Sequence, residues 1–275
     1  MKLRHLKKLL IFGVFTFVLM PHVAMAEEIQ DVYENRNGVK MERTNYSYLV
    51  EKLGEEHVMF MTQNEYDRLK DKELTLIAYD SKTVETIDYN GVEVEQVTPR
   101  SVNGFENDHV TASKNLTLMV FEDGTNQFYV KAVNEWLTLP STRSYDVLAL
   151  RTDDGLSVID TTQQGTQLYA IDGVMDSVLY QYNGSNTVRR SNGYGFSMNL
   201  LDSRDVDHFI NTTTCFISGA SGTVSVSYQH ATRSLSRADS MEYTLNVNGL
   251  GGVILFSEYS TLDKYDRMAG VWVEV

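Results

Sequence analysis

Trp136, Arg143 and Tyr145 stand close together in NEWLTLPSTRSYDVLALR, residues 134–151. An indole can stack on a sugar ring, and a guanidinium beside it can hold a carboxylate or hydroxyl groups. Lining one groove, the three side chains would make a site for a glycan or an acidic group. The same stretch also reads as a corner of the fold. Trp136 falls on the alternating set Phe128, Val130, Ala132, Asn134 and Trp136, which predicts a core-facing ring with its indole N–H on a backbone carbonyl. Pro140 cannot donate to a strand ladder and ends the run. Asp146 follows Arg143 closely enough to pair with it across the turn or to accept backbone N–H bonds. The corner is the reading we take, with the groove as its alternative.

A second group is acidic. Asp202, Asp205 and Asp207 place carboxylates at near-alternate positions, a spacing that could chelate Ca²⁺, although the EF-hand pattern and its closing Glu are absent. A solvated loop is the simpler reading. Ca²⁺ is the one cofactor the sequence offers. His57, His109, His208 and His230 are scattered and none belongs to a His-Glu-x-x-His motif. Gly219-Ala-Ser-Gly222 lacks the Gly-x-Ser-x-Gly spacing of a nucleophile elbow. No catalytic residue is assigned. Cys215, the only cysteine, lies in the strand-like run Thr-Thr-Thr-Cys-Phe-Ile and reads as a small buried hydrophobe, so no intramolecular disulfide can form.

The elements that position these residues begin after a leader. Lys2, Arg4, Lys7 and Lys8 precede an apolar run over residues 9–20, and Ala24-Met-Ala26 supplies the small residues of a cleavage site. That is the pattern of a signal peptide over residues 1–26, with a mature chain starting at Glu27 and secreted to the extracellular space. The apolar run is too short for a membrane span, and no later one is long enough, so no stable transmembrane segment is expected after cleavage. Loss of the four leader bases leaves 20 Lys and Arg against 37 Asp and Glu, a formal charge of −17. Nucleic acid is therefore an unexpected partner, because phosphates would be repelled.

Turn chemistry predicts the architecture. Asn-Gly pairs begin at 37, 90, 103, 183, 192 and 248, and Asp-Gly pairs at 123, 154 and 172, all suited to tight hairpin turns. Asn90-Gly91 predicts a hairpin pairing Tyr89 with Val92 and Ile87 with Val94, with Thr86, Asp88, Glu93 and Glu95 on the opposite face. Further β-rich runs follow at 116–121, 126–139, 145–150, 166–171, 177–182, 194–201, 223–230, 242–247, 252–259 and 271–275. The fold class is thus mainly β, an antiparallel β-sandwich with a small helical N-terminal segment. In the helical part, Leu49 and Leu53 precede Gly54 at helical spacing, and Thr62-Gln-Asn-Glu65 is a capping box opening a helix that carries Tyr66 and Leu69. The expected organisation is a leader at 1–26, a helical segment at 27–75, a hairpin and connection at 76–110, and a sandwich at 111–275.

The stretch YLVEKLGEEHVMFMTQNEY (48–66), the strand WLTLPSTRSYD (136–146) and the segment GLGGVI (249–254) together resemble a loose family of uncharacterised secreted proteins of Gram-positive bacteria. The resemblance implies the compartment and the boundaries, and it brings no known activity and no catalytic residue. Three functional classes follow. The first is a secreted non-enzymatic protein that binds a cell-surface glycan or protein, or forms part of the envelope. The second is a secreted hydrolase of glycan or envelope polymer, which requires convergent carboxylates in a cleft. The third is a membrane-inserting β protein, suggested by the Ser/Thr-rich alternating segment 211–232.

Overall fold

A computed structural model describes residues 31–89, 92–96, 110–153, 155–190, 192–203, 205–246, 253–256, 259–266 and 268–275. The leader over residues 1–26 and the cleavage point lie outside them.

The chain enters through a small hairpin, β1 (Val32–Glu34) and β2 (Lys40–Glu42), followed by α1 (Arg43–Leu53), α2 (Glu55–Met59) and α3 (Gln63–Leu69). Local chemistry sets the helix boundaries. Gly54 ends α1 at φ +89°, a conformation that glycine adopts without Cβ strain, and its N–H returns to the Val50 carbonyl. Thr62 caps α3 by accepting the Glu65 N–H, as the capping pattern predicts. Leu49, Leu53, Tyr66 and Leu69 point to a common buried cluster.

Most of the rest forms two antiparallel sheets packed face to face. The larger contains β3 (Thr75–Tyr89), β4 (Val92–Gln96), β5 (Val110–Glu122), β6 (Gln127–Thr138), β8 (Leu156–Val158), β9 (Gln164–Ile171), β10 (Val174–Gln181) and β13 (Val206–Gly219). Its strands run in the order β10-β9-β13-β6-β5-β3-β4, with β8 on β13. The smaller sheet contains β7 (Tyr145–Thr152), β11 (Thr187–Arg190), β12 (Gly193–Asn199), β14 (Thr223–Gln229) and β17 (Ala269–Glu274), in the order β11-β12-β7-β14-β17. Alternation produces the core: Leu116, Leu118, Val130, Ala132 and Trp136 of the larger sheet meet Leu148, Leu150, Phe196, Val226 and Tyr228 of the smaller. The fold is therefore a mainly β, sandwich-like one with a small helical N-terminal segment.

Each sheet is also covered on its outer face. The helices lie over Phe121, Tyr129 and Phe216 of the larger sheet. Over Val147 and Ala149 of the smaller lie Leu235, Tyr265 and the hairpin of β15 (Tyr243–Leu245) and β16 (Ile254–Phe256). Short α4 (Arg237–Ser240) and α5 (Tyr259–Leu262) flank that hairpin.

Hairpin grammar is realised closely. β3 and β4 pair Tyr89 with Val92 and Ile87 with Val94, the expected register; the facing of those side chains lies outside the described residues. Asp172 and Gly173, at φ +52° and +74°, form the two-residue turn that pairs Ile171 with Val174. Two placements differ from the sequence expectation. The hairpin of 76–110 is an extension of the larger sheet, because β3 pairs with β5 from Thr75 onward. The Ser/Thr-rich segment does not keep the half-exposed alternation that its sequence suggested: β13 is held between β9 and β6, β14 between β7 and β17, and residues 209–217 are all buried.

Candidate functional site

Trp136 is 2 % exposed and lies inside the sandwich. It meets His230 edge-on with ring centroids 4.9 Å apart, and its indole N–H donates to the Tyr228 hydroxyl at 3.3 Å rather than to a backbone carbonyl. A ring so enclosed offers no face to a sugar. Arg143 does not pair with Asp146. Its guanidinium donates to the Leu201 carbonyl at 3.3 Å and to those of Ser203 and Val206, and it covers the Phe209 ring at 5.4 Å. Tyr145, half-buried at the start of β7, accepts the Tyr265 hydroxyl on its carbonyl.

Asp146 is 0 % exposed and is the hub of the corner. One carboxylate oxygen accepts the His230 Nδ1–H and the Ala231 N–H, both at 2.9 Å, and the other accepts the Tyr228 hydroxyl. Asn211 donates to the same hydroxyl at 3.0 Å, and Gln167 donates to Asn211 at 3.1 Å. Burial opposes the charge on His230, but the Asp146 carboxylate overrides it and raises the imidazole pKa above its ordinary 6.5. The sequence showed Trp136 and Asp146 as neighbours of a turn. Their partners come from β14 and the residues after it, which no local signal could reveal.

The three carboxylates that could chelate Ca²⁺ are all exposed, Asp202 and Asp205 on the loop before β13 and Asp207 near the start of that strand. Carbonyls of that loop, at Leu201 and Ser203, and of Val206 beyond it already receive the Arg143 guanidinium. Among the described residues no group of three or more His, Cys, Asp or Glu side chains could hold a metal ion. Cys215 is buried, and burial pushes its thiol up to about 12, so it is neither thiolate nor ligand at neutral pH.

A different place gathers polar groups from several elements. Where α1 and α2 lean over the larger sheet, a cleft of about 400 Å³ is lined by Leu53, Glu55, Glu56 and His57 on the helical side and by Lys131, Val133, Glu135, Leu168, Ile210 and Thr212 on the sheet. Register explains the convergence. Val133 pairs with Thr212, and Ile210 pairs with both Glu135 and Leu168, so all five share the outward face of neighbouring strands. Lys131 buries its stem and donates from Nζ to the Leu53 carbonyl at 2.5 Å, and burial pushes its pKa down to about 8.

Beside the cleft, Glu65 is 5 % exposed and ties the helices to the sheet. Its carboxylate accepts the Tyr129 hydroxyl, the Gln164 amide at 3.1 Å and His57 Nε2 at 3.0 Å, while Thr62 donates to Gln164 at 2.6 Å. Burial alone would raise the Glu65 pKa, but His57 and the hydrogen bonds from Tyr129 and Thr214 hold it below the usual carboxylate range. Burial, reinforced by Lys131, lowers the His57 pKa, so His57 is a neutral donor to an ionised Glu65 at pH 7. The sequence singled out Glu65 as a capping residue. The fold gives its carboxylate to the sheet instead, and this second role leaves no mark in the local pattern.

No family model matches the chain, and no curated protein matches it. Among solved structures, Clostridium perfringens delta-toxin is similar over 54 % of this chain and 83 % of that one, at 9 % sequence identity and a TM-score of 0.24.

Proposed function

We propose that the protein is an exported, non-enzymatic binding protein of the extracellular space or cell envelope, and that its ligand site is the cleft between the helical segment and the larger sheet. The observation that carries this reading is the meeting of Lys131, Glu135, His57 and Thr212 over an apolar floor of Val133, Leu168 and Ile210. Binding pockets combine a few placed polar groups with an apolar surface of this size range. A glycan suits the pattern: its hydroxyls both donate and accept, while its C–H faces rest on aliphatic side chains. Glu55, Glu56 and Glu135 make the lining acidic, which favours neutral or amino sugars over acidic ones. Glu65 is held ionised by its donors, the condition of a structural anchor rather than of a proton-donating acid. Export rests on the leader sequence, and no helix of the described residues is long and apolar enough to cross a membrane.

Glycan-array binding by the mature protein tests the assignment. Val133→Trp, which fills the cleft, and Glu135→Lys, which reverses a charge in it, should each weaken binding by about tenfold or more, the effect of losing about 1.4 kcal/mol of contact. Unchanged binding by both folded variants would overturn the site, and release of free sugar by the wild type would make the protein a hydrolase.

A further inference from the structure

Lys114 on β5 and Asp266 ahead of β17 meet inside the sandwich, with side chains 1 % and 4 % exposed. Their Nζ and Oδ2 atoms are in direct contact. The Trp136 and Tyr228 rings lie 5.5 and 5.4 Å from the Lys114 nitrogen. Asp266 is held from several directions: its Oδ1 accepts the His230 N–H at 2.7 Å, its own N–H donates to the His230 carbonyl at 2.9 Å, and its carbonyl accepts the Gln229 amide at 3.1 Å. Neither charged group is solvated, and the carboxyl carbon is presented to the amine by a clamped backbone.

From this geometry we propose that Lys114 and Asp266 condense to an intramolecular amide, a covalent cross-link between the first long strands of the larger sheet and the last strand of the smaller. A buried ion pair must overcome the desolvation of two charges, and an amide at the same place carries none. A proton passes from Nζ to Oδ2, giving a neutral amine and a neutral acid. Nζ then attacks Cγ, and the oxyanion forming on Oδ1 is met by the His230 N–H, a donor already in position. Nζ gives up a second proton to Oδ2, the Cγ–Oδ2 bond breaks, and water leaves. No oxidant or cofactor enters. Holding the reacting groups in contact supplies the acceleration that dilute amine and carboxylic acid lack, and the enclosed site protects the product from hydrolysis. With one cysteine in the chain, such an amide is a cross-link that the sequence allows without a second thiol.

The test is the intact mass of the purified, folded protein measured under denaturing conditions, against the mass calculated from its measured N-terminus. The proposal predicts a chain lighter by one water, with the peptides containing Lys114 and Asp266 joined after digestion. Lys114→Arg and Asp266→Ala should each restore the full sequence mass and separate those peptides. A wild-type chain of full mass with the two peptides separate would overturn the proposal, whether or not either variant folds.

Discussion

Trp136 contributes by filling the space between the sheets. Trp136→Ala should cost about 3–5 kcal/mol in urea unfolding, because the ring packs on Tyr228 and His230 and leaves the Tyr228 hydroxyl one donor short. Arg143→Ala should cost less, about 1–3 kcal/mol, by releasing the carbonyls before β13. A stable Trp136→Ala protein would show that the ring is not the anchor described. His230 gives a pH signature. Its pKa is raised in the folded state above 6.5, so its stabilisation is fully present below about pH 6.5 and is lost as pH rises through the folded value. His57 has the opposite sign: its lowered pKa means that acidification below about pH 6.5 removes stability. Unfolding free energies across this range should therefore lose their alkaline decline in His230→Gln and part of their acid decline in His57→Gln. An unaltered profile in His230→Gln would contradict the His230–Asp146 pairing.

At the scale of elements, the helical segment depends on the sheet beneath it. Phe121, Tyr129 and Phe216 provide the apolar bed, and Glu65 provides the polar tie. Tyr129→Phe keeps the bed and removes one donor to a buried carboxylate, so it should cost about 1–3 kcal/mol, read by thermal unfolding. A change within about 0.5 kcal/mol, the usual effect of a surface substitution, would show that Tyr129 does not hold the helices down. Two aspartates blunt strand edges: Asp80 accepts the Trp272 N–H at 3.1 Å, and Asp176 the Ser177 N–H at 2.7 Å. Such caps occupy donors that would otherwise pair with another strand. Much at this scale was legible in the sequence. The caps at Gly54 and Thr62 and the register around Asn90-Gly91 are local, and local chemistry decides them. β13 was harder to read, because a central strand buried on both faces loses the alternation that marks a half-exposed one, and its run of threonines has no apolar partner rows in sequence.

Over the whole molecule, four layers stack: helices, the larger sheet, the smaller sheet and a covering hairpin. The sequence foretold the sandwich because turns and alternation repeat along most of the chain. It did not foretell the cleft, since Lys131, Glu135, Thr212 and His57 belong to segments that only strand register and helix docking bring together. Trp136, Arg143 and Tyr145 are close in sequence, and their closeness marks a corner. Proximity in the chain is a property of turns, whereas a binding surface is assembled across strands. The proposed ligand site is the cleft and not that corner. Hydrogen exchange of the protein without residues 1–26, with and without the glycan selected by array, distinguishes the two. Slowed exchange over residues 53–57, 131–135 and 210–212 is expected on binding; slowing confined to 136–146, or none in the cleft at saturating glycan, would rule the cleft out.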